Sequence, residues 1–232
     1  MSRSVLAATI TLALSGITLA LSGPALAQTV ITGTVKSKAG APLPGLALLE
    51  KGEIHNNVWD RGALVDANGR FRIEVASGGQ YGLHVYSSGY LYKPEAIRVE
   101  TGKTLEVHVV LVPEPTRAND PAIKRVGFFP WEQKQGKVSF VKLDVSDPNA
   151  DLGPQVLAFN AAIGRAYALE PPRPVRNLKD NFPQGVYQLA VDTSRAAINP
   201  RDWHFVVADH QCNTTDIASF PHEIKPPQVI RP

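Results

Sequence analysis

Between Val30 and Val112 the apolar residues alternate in short runs separated by Gly, Pro, Asn and Asp. Phe71, Ile73 and Val75 alternate with Arg70, Arg72 and Glu74, and Leu105, Val107, Val109 and Leu111 alternate with Glu106 and His108. A repeat of two sends successive side chains to opposite faces, so one set meets a core while the other meets water, as in a half-buried strand. No window in this stretch keeps a 3.6-residue period for eleven residues, which excludes an amphipathic helix. The pattern predicts strands over Val30 to Lys36, Gly45 to Lys51, Ala63 to Val65, Arg70 to Val75, Tyr81 to Tyr86, Ala96 to Glu100 and Thr104 to Val112. Seven short strands separated by Gly, Pro, Asn and Asp make a sandwich. Asp66-Ala67-Asn68-Gly69 has the residues of a tight turn and predicts a hairpin leading into Phe71. Placed on these strands, His84 and His108 point away from the core and read as solvated surface residues.

Particular residues in this stretch carry a family pattern. Gly33-Thr34-Val35, Gly40-Ala41-Pro42-Leu43-Pro44-Gly45, Val65-Asp66-Ala67-Asn68-Gly69-Arg70-Phe71, Tyr81-Gly82-Leu83 and Gly89-Tyr90 resemble the carboxypeptidase regulatory-like family over residues 30–112. The resemblance implies a transthyretin-like (prealbumin-like) sandwich, an accessory module of secreted enzymes, receptors and surface proteins without chemistry of its own. The matched residues agree with that implication, since each is explained by a turn or a core strand and none sets a nucleophile beside a base.

Arg3 precedes an apolar run from Val5 to Leu21, and Pro24-Ala25-Leu26-Ala27 supplies a small-x-small exit before Gln28. Residues 1–27 therefore read as a secretory signal peptide, and the remainder as a secreted or periplasmic protein with no membrane segment after cleavage. The 24 basic and 21 acidic residues give a net charge of +3 without a basic stripe, which excludes nucleic acid as a partner. Cys212 is the only cysteine, so no internal disulfide can staple the fold.

From Pro113 to Lys124 the chain turns to Pro, Asn and Asp, which marks a linker over 113–124. Beyond it, Val126 to Phe129, Lys137 to Val145, Gln155 to Asn160, Arg165 to Leu169, Gly185 to Val191 and Asp202 to Ala208 again read as strands. The segments Asp147-Pro148-Asn149-Ala150-Asp151-Leu152 and Pro183-Gln184-Gly185-Val186-Tyr187-Gln188-Leu189 resemble bacterial immunoglobulin-like and cadherin-like sandwiches over 125–218. The Pro-rich stretch Glu170 to Gln184 interrupts this unit and reads as a functional loop or an open edge. Residues 219–232 form a Pro-rich tail.

Three groups of residues are candidate sites. Asp147, Asn149 and Asp151 stand at alternate positions suited to the oxygen ligands of calcium, with a plain Asx turn as the competing reading. His210 and Cys212 would share one face of a strand about 6 to 7 Å apart and hold a soft metal, given a third ligand such as His55 or His222. Trp59, Tyr92 and Trp131 are the rings expected to be exposed for stacking on a sugar. Asn213-Thr214-Thr215 is a glycosylation sequon. The sequence thus predicts an all-β protein: a signal peptide, then two β-sandwich domains in tandem, transthyretin-like over 28–112 and immunoglobulin-like over 125–218. Its expected role is a non-catalytic module that binds another secreted or cell-surface protein, with no cofactor beyond a candidate calcium ion. Carbohydrate binding, with a polysaccharide as ligand, and periplasmic metal binding are the alternatives.

Overall fold

A computed structural model describes residues 28–54, 56–133, 136–192 and 199–219. The leader 1–27, His55, and the tail from Phe220, which includes His222, lie outside the described residues. The described chain is built from strands: β1 (Thr29–Ser37), β2 (Gly45–Lys51), β3 (Trp59–Val65), β4 (Arg70–Val75), β5 (Gly79–Tyr86), β6 (Lys93–Val99), β7 (Thr104–Leu111), β8 (Ala122–Gln133), β9 (Gly136–Ser146), β10 (Leu152–Asn160), β11 (Arg165–Ala168), β12 (Gly185–Asp192), β13 (Trp203–Asp209) and β14 (Ala218–Ser219). The predicted strands appear with ends shifted by a few residues, and β14 was not anticipated because two residues leave no period to read. β8 begins at Ala122, inside the stretch expected to be linker.

The first sandwich packs the sheet β4-β1-β7 against β3-β2-β5-β6. The alternation that predicted these strands fills its core with Ile31, Val35, Phe71, Ile73, Leu83, Val85, Val109 and Leu111. Asp66 to Gly69 forms the expected turn, with Asp66 Oδ1 accepting from the backbone N–H of Asn68 and Arg70 at 2.9 and 2.8 Å and Gly69 at φ +72°. It does not close a hairpin, because β3 pairs with β2 and β4 pairs with β1. The turn is instead the corner at which the chain leaves one sheet for the other, and local turn chemistry is the same in both cases.

The two units share a sheet. Strand order β14-β13-β10-β11-β3-β2-β5-β6 runs continuously from the second unit into the first. The join is narrow: β11 and β3 pair at Arg165 and Arg61, supported by Gly62 N–H donating to the Gly164 carbonyl at 3.1 Å. One face of this sheet wraps around a further core in which Leu46, Leu48, Tyr86 and Tyr92 of the first unit pack on Leu157, Phe159, Val206 and Ala208 of the second. The opposite face of β10 and β13 packs Val156, Ala158, Phe205 and Val207 against Val141, Leu143, Val145 and Tyr187 of the sheet β12-β9-β8. Hence β2 and β5 are buried on both faces, and β10 is buried along nearly its whole length.

The segment between the units is held on both sides. Glu114 Oε1 accepts from the Thr214 backbone N–H at 3.1 Å, and Arg117 bridges Asp120 at 2.9 Å and Asp216 at 2.8 Å. The Pro-rich stretch Glu170 to Gln184 folds back over the second core, with Phe182 buried and its N–H donating to the Leu152 carbonyl at 2.8 Å.

Candidate functional site

The most unusual chemistry in the molecule lies between the units. Glu50 on β2 and His84 on β5 are 1% and 0% exposed, and His84 Nε2 lies 2.9 Å from Glu50 Oε2. His84 points away from the core of the first sandwich, as its place on the strand predicts, but it is not the solvated surface residue expected: it faces the shared core beside Tyr86 and Tyr92. Gly82, opposite Glu50 in the ladder, makes this possible, since a Cβ there would stand 3.3 Å from His84 Nε2 and 3.4 Å from Glu50 Oε2. Glu50 Oε1 also accepts from the Asn57 backbone N–H. Around the pair, the Trp59 ring is 4.8 Å from the imidazole, and the Tyr92 ring stacks 6.1 Å from it and 5.3 Å from Tyr86. Burial pushes the Tyr86 hydroxyl well above its ordinary range, as it does Tyr92 and the Cys212 thiol. Glu50, His84 and Tyr86 are sealed by packing, whereas Cys212, beside Tyr92, is half-buried. His108, by contrast, is exposed on β7 and hydrogen-bonds Thr34 at 3.0 Å between Nδ1 and Oγ1.

Two of the three rings expected to be exposed are not free platforms. Tyr92 is 7% exposed, because the second unit covers it, with its N–H donating to the Cys212 carbonyl at 3.0 Å. Trp59 is half-buried, with Nε1 donating to Asn57 Oδ1 at 2.8 Å. Trp131 lies in β8 opposite Val138. Phe129, exposed on the same sheet, has one face over Gly127 and Lys142 Nζ 5.2 Å from its ring centre.

Asp147, Asn149 and Asp151 come together in the turn between β9 and β10. Asp147 Oδ1 accepts from Asn149 N–H at 3.1 Å and Oδ2 from Asp151 N–H at 2.9 Å, while Asp151 Oδ2 accepts from Gln211 Nε2 at 2.7 Å. Burial raises the Asp147 carboxyl above its ordinary value, and the neighbouring Asp151 adds to the rise. His210 and Cys212 do not share a strand face, because β13 ends at Asp209. That carboxylate accepts from the N–H groups of Gln211 and Asn213, both at 2.8 Å, and the resulting turn puts Cys212 at φ +71°. His210 Nε2 turns to the Asp180 carbonyl at 3.1 Å, while Cys212 sits beside the Tyr92 hydroxyl. Among the described residues no three His, Cys, Asp or Glu side chains are arranged to hold a metal ion. Asn213 of the sequon is 5% exposed and donates Nδ2 to Asp209 Oδ2 at 2.7 Å.

The accessible feature is the seam itself. Where β11 leaves β3, a groove of about 410 Å³ opens between Arg61, Leu64, Arg72 and Glu74 on one side and Phe159 and Ile163 on the other. No sequence reading found it, because it joins residues a hundred positions apart.

Among the described residues no helix is long and apolar enough to cross a membrane. No curated protein matches the chain. Among solved structures it is similar to BcpA, the major pilin subunit of Bacillus cereus, at 11% identity over 81% of this chain and 66% of that one, TM-score 0.33. A cohesin–X-dockerin complex of Acetivibrio cellulolyticus is similar at 19% identity, TM-score 0.27, over 36% of this chain, which spans 56% of that one. A DUF3823 family protein from Parabacteroides merdae is similar at 13% identity over 84% of this chain and all of that one, TM-score 0.29. None of these likenesses is close enough to speak for function. The carboxypeptidase regulatory-like family model matches residues 30–112, which span β1 to β7. The first sandwich is thus similar to the carboxypeptidase regulatory-like domain along its whole length.

Proposed function

We propose that this is an exported, non-catalytic assembly module that presents a rigid double sandwich to another secreted or cell-surface protein. The observation that carries the reading is the shared sheet with its shared core, which joins the two units. A catalyst needs reactive groups converging on an opening. Here Glu50 and His84 converge in the interior, whereas the groove at the β3–β11 seam is lined by Arg61, Leu64, Arg72, Glu74, Phe159 and Ile163. The carboxypeptidase regulatory-like domain supports the same reading, since such domains serve as accessory modules. The apolar leader supports export to the periplasm or beyond.

The test is photo-crosslinking in the native compartment, with a photoreactive residue at exposed Ile163, Val110 or Val186 of the full chain. A discrete adduct with one extracytoplasmic protein from at least one site is expected. Monomer alone from all three sites, or turnover of a substrate by the purified chain, would overturn the proposal.

A further inference from the structure

Among the described residues, the seam between β3 and β11 leaves part of β3 without a strand partner. On its inner side β3 pairs with β2 along its length, and on its outer side with β11 at Arg61 alone. Gly62 N–H points outward to the Gly164 carbonyl, so by the two-residue repeat the Leu64 N–H and C=O also point outward, past the end of that pairing. An exposed strand edge with free backbone groups is a template for another strand, and proteins ordinarily shield such edges with charge, proline or a covering loop. This edge runs along the groove of about 410 Å³, with Leu64 44% exposed and Ile163 53% exposed at its two walls.

Charge selects among the strands that would fit. Arg61 and Arg165 share one carboxylate, Asp60, at 3.9 and 3.6 Å, and Arg72 is paired with Glu74 at 3.2 Å. Three guanidinium groups thus face two carboxylates, a surplus of one positive charge beside the open edge. Arginine at such a place favours a carboxylate, which it can grip through two parallel N–H donors.

We propose that the β3–β11 seam binds an extended segment of a partner protein by strand addition to β3, with an apolar side chain between Leu64 and Ile163 and an acidic one toward Arg61 and Arg165. This rests on the assembly-module reading and names its docking site. The backbone of β3 supplies affinity, and alternate side chains supply selectivity.

The probes are fluorescein-labelled hexapeptides of alternating Val and Asp, alternating Val and Lys, and alternating Val and Asp with a central Pro, titrated into the full chain by anisotropy. Saturable binding of the Val-Asp peptide is expected, roughly tenfold tighter than either of the others. Leu64→Pro removes the outward donor without touching a β2–β3 hydrogen bond and should weaken binding about tenfold or more. Ile163→Asp, outside the strand pairing, guards against a misfolded Pro variant and should weaken binding of the same peptide. No saturable binding of the Val-Asp peptide, or binding equal to that of Val-Lys, or binding that both substitutions leave unchanged, would overturn this site. A native crosslink to a partner that persists in both variants would keep the module reading while removing this groove from it.

Discussion

His84 and Glu50, on neighbouring strands of the first sandwich, form a buried hydrogen-bonded pair 2.9 Å long, packed against the rings of Trp59 and Tyr92. A buried polar pair in this position ties β2 to β5, because each member is held out of water and the other supplies part of what water would have given it. Removing one partner of a buried pair costs about 3–5 kcal/mol, while replacing both with apolar groups of matching shape is often near neutral. We therefore expect Glu50→Gln and His84→Leu each to lower the denaturant midpoint strongly, with Glu50→Leu/His84→Leu less damaging than the sum of the singles. Chemical denaturation of the four proteins measures this directly, and additive effects would contradict the coupling.

Excision of the first sandwich is a second test of the shared core. A chain of residues 28–114 would leave Leu46, Leu48, Tyr86 and Tyr92 facing water, each of which exposes only 0–7% of its surface in the intact protein. Exposing an apolar side chain of that size forfeits about 1.5–3 kcal/mol. The fragment is expected to melt at least about 10 °C below the intact chain and to bind a hydrophobic dye. Equal melting temperatures would show that the junction contributes nothing to the stability of the first unit.

His204 offers a pH test on the second unit. Burial lowers its pKa below the usual histidine value, against a smaller opposing effect of Asp202. Between the lowered folded value and the unfolded value of about 6.5 the unfolded chain holds more protons, so stability rises with pH through that window. His204→Gln should flatten this rise without changing the slope above pH 7. Thermal melts from pH 5 to pH 8 would show it.

Asn213 is expected to stay unmodified even in a host that glycosylates secreted chains. Its amide nitrogen is committed to Asp209 Oδ2 at 2.7 Å, and the side chain is buried. Intact-mass measurement of the secreted protein should show no glycan. Asp209→Ala, which releases the turn and the amide together, should destabilise the protein by about 1–3 kcal/mol, because it leaves buried N–H groups unsatisfied.

Metal removal tests the turn between β9 and β10. The Asp147 carboxylate already receives two backbone N–H groups. A chelator is therefore expected to leave the melting temperature unchanged, and stoichiometric calcium in the purified protein, lost together with stability, would instead make this turn an ion site.

Period-two alternation was enough to specify most of this protein. The side chains of Arg70–Val75 and Thr104–Leu111 take the faces their order dictates, because in a strand that order and the pleat leave no other arrangement. The turn at Asp66 was equally legible, since Asx side chains and a glycine at positive φ act over four residues. What a strand does with its second face is a different matter. Leu46, Leu48, His84 and Tyr86 have the spacing of outward residues, and only the continuation of the sheet through β11 into β10 and β13 makes that outward side an interior. The same long-range contact hides Tyr92 and opens the groove at Leu64. Sequence patterns report the distance between neighbours along a strand, while these outcomes depend on which distant surface arrives to cover it.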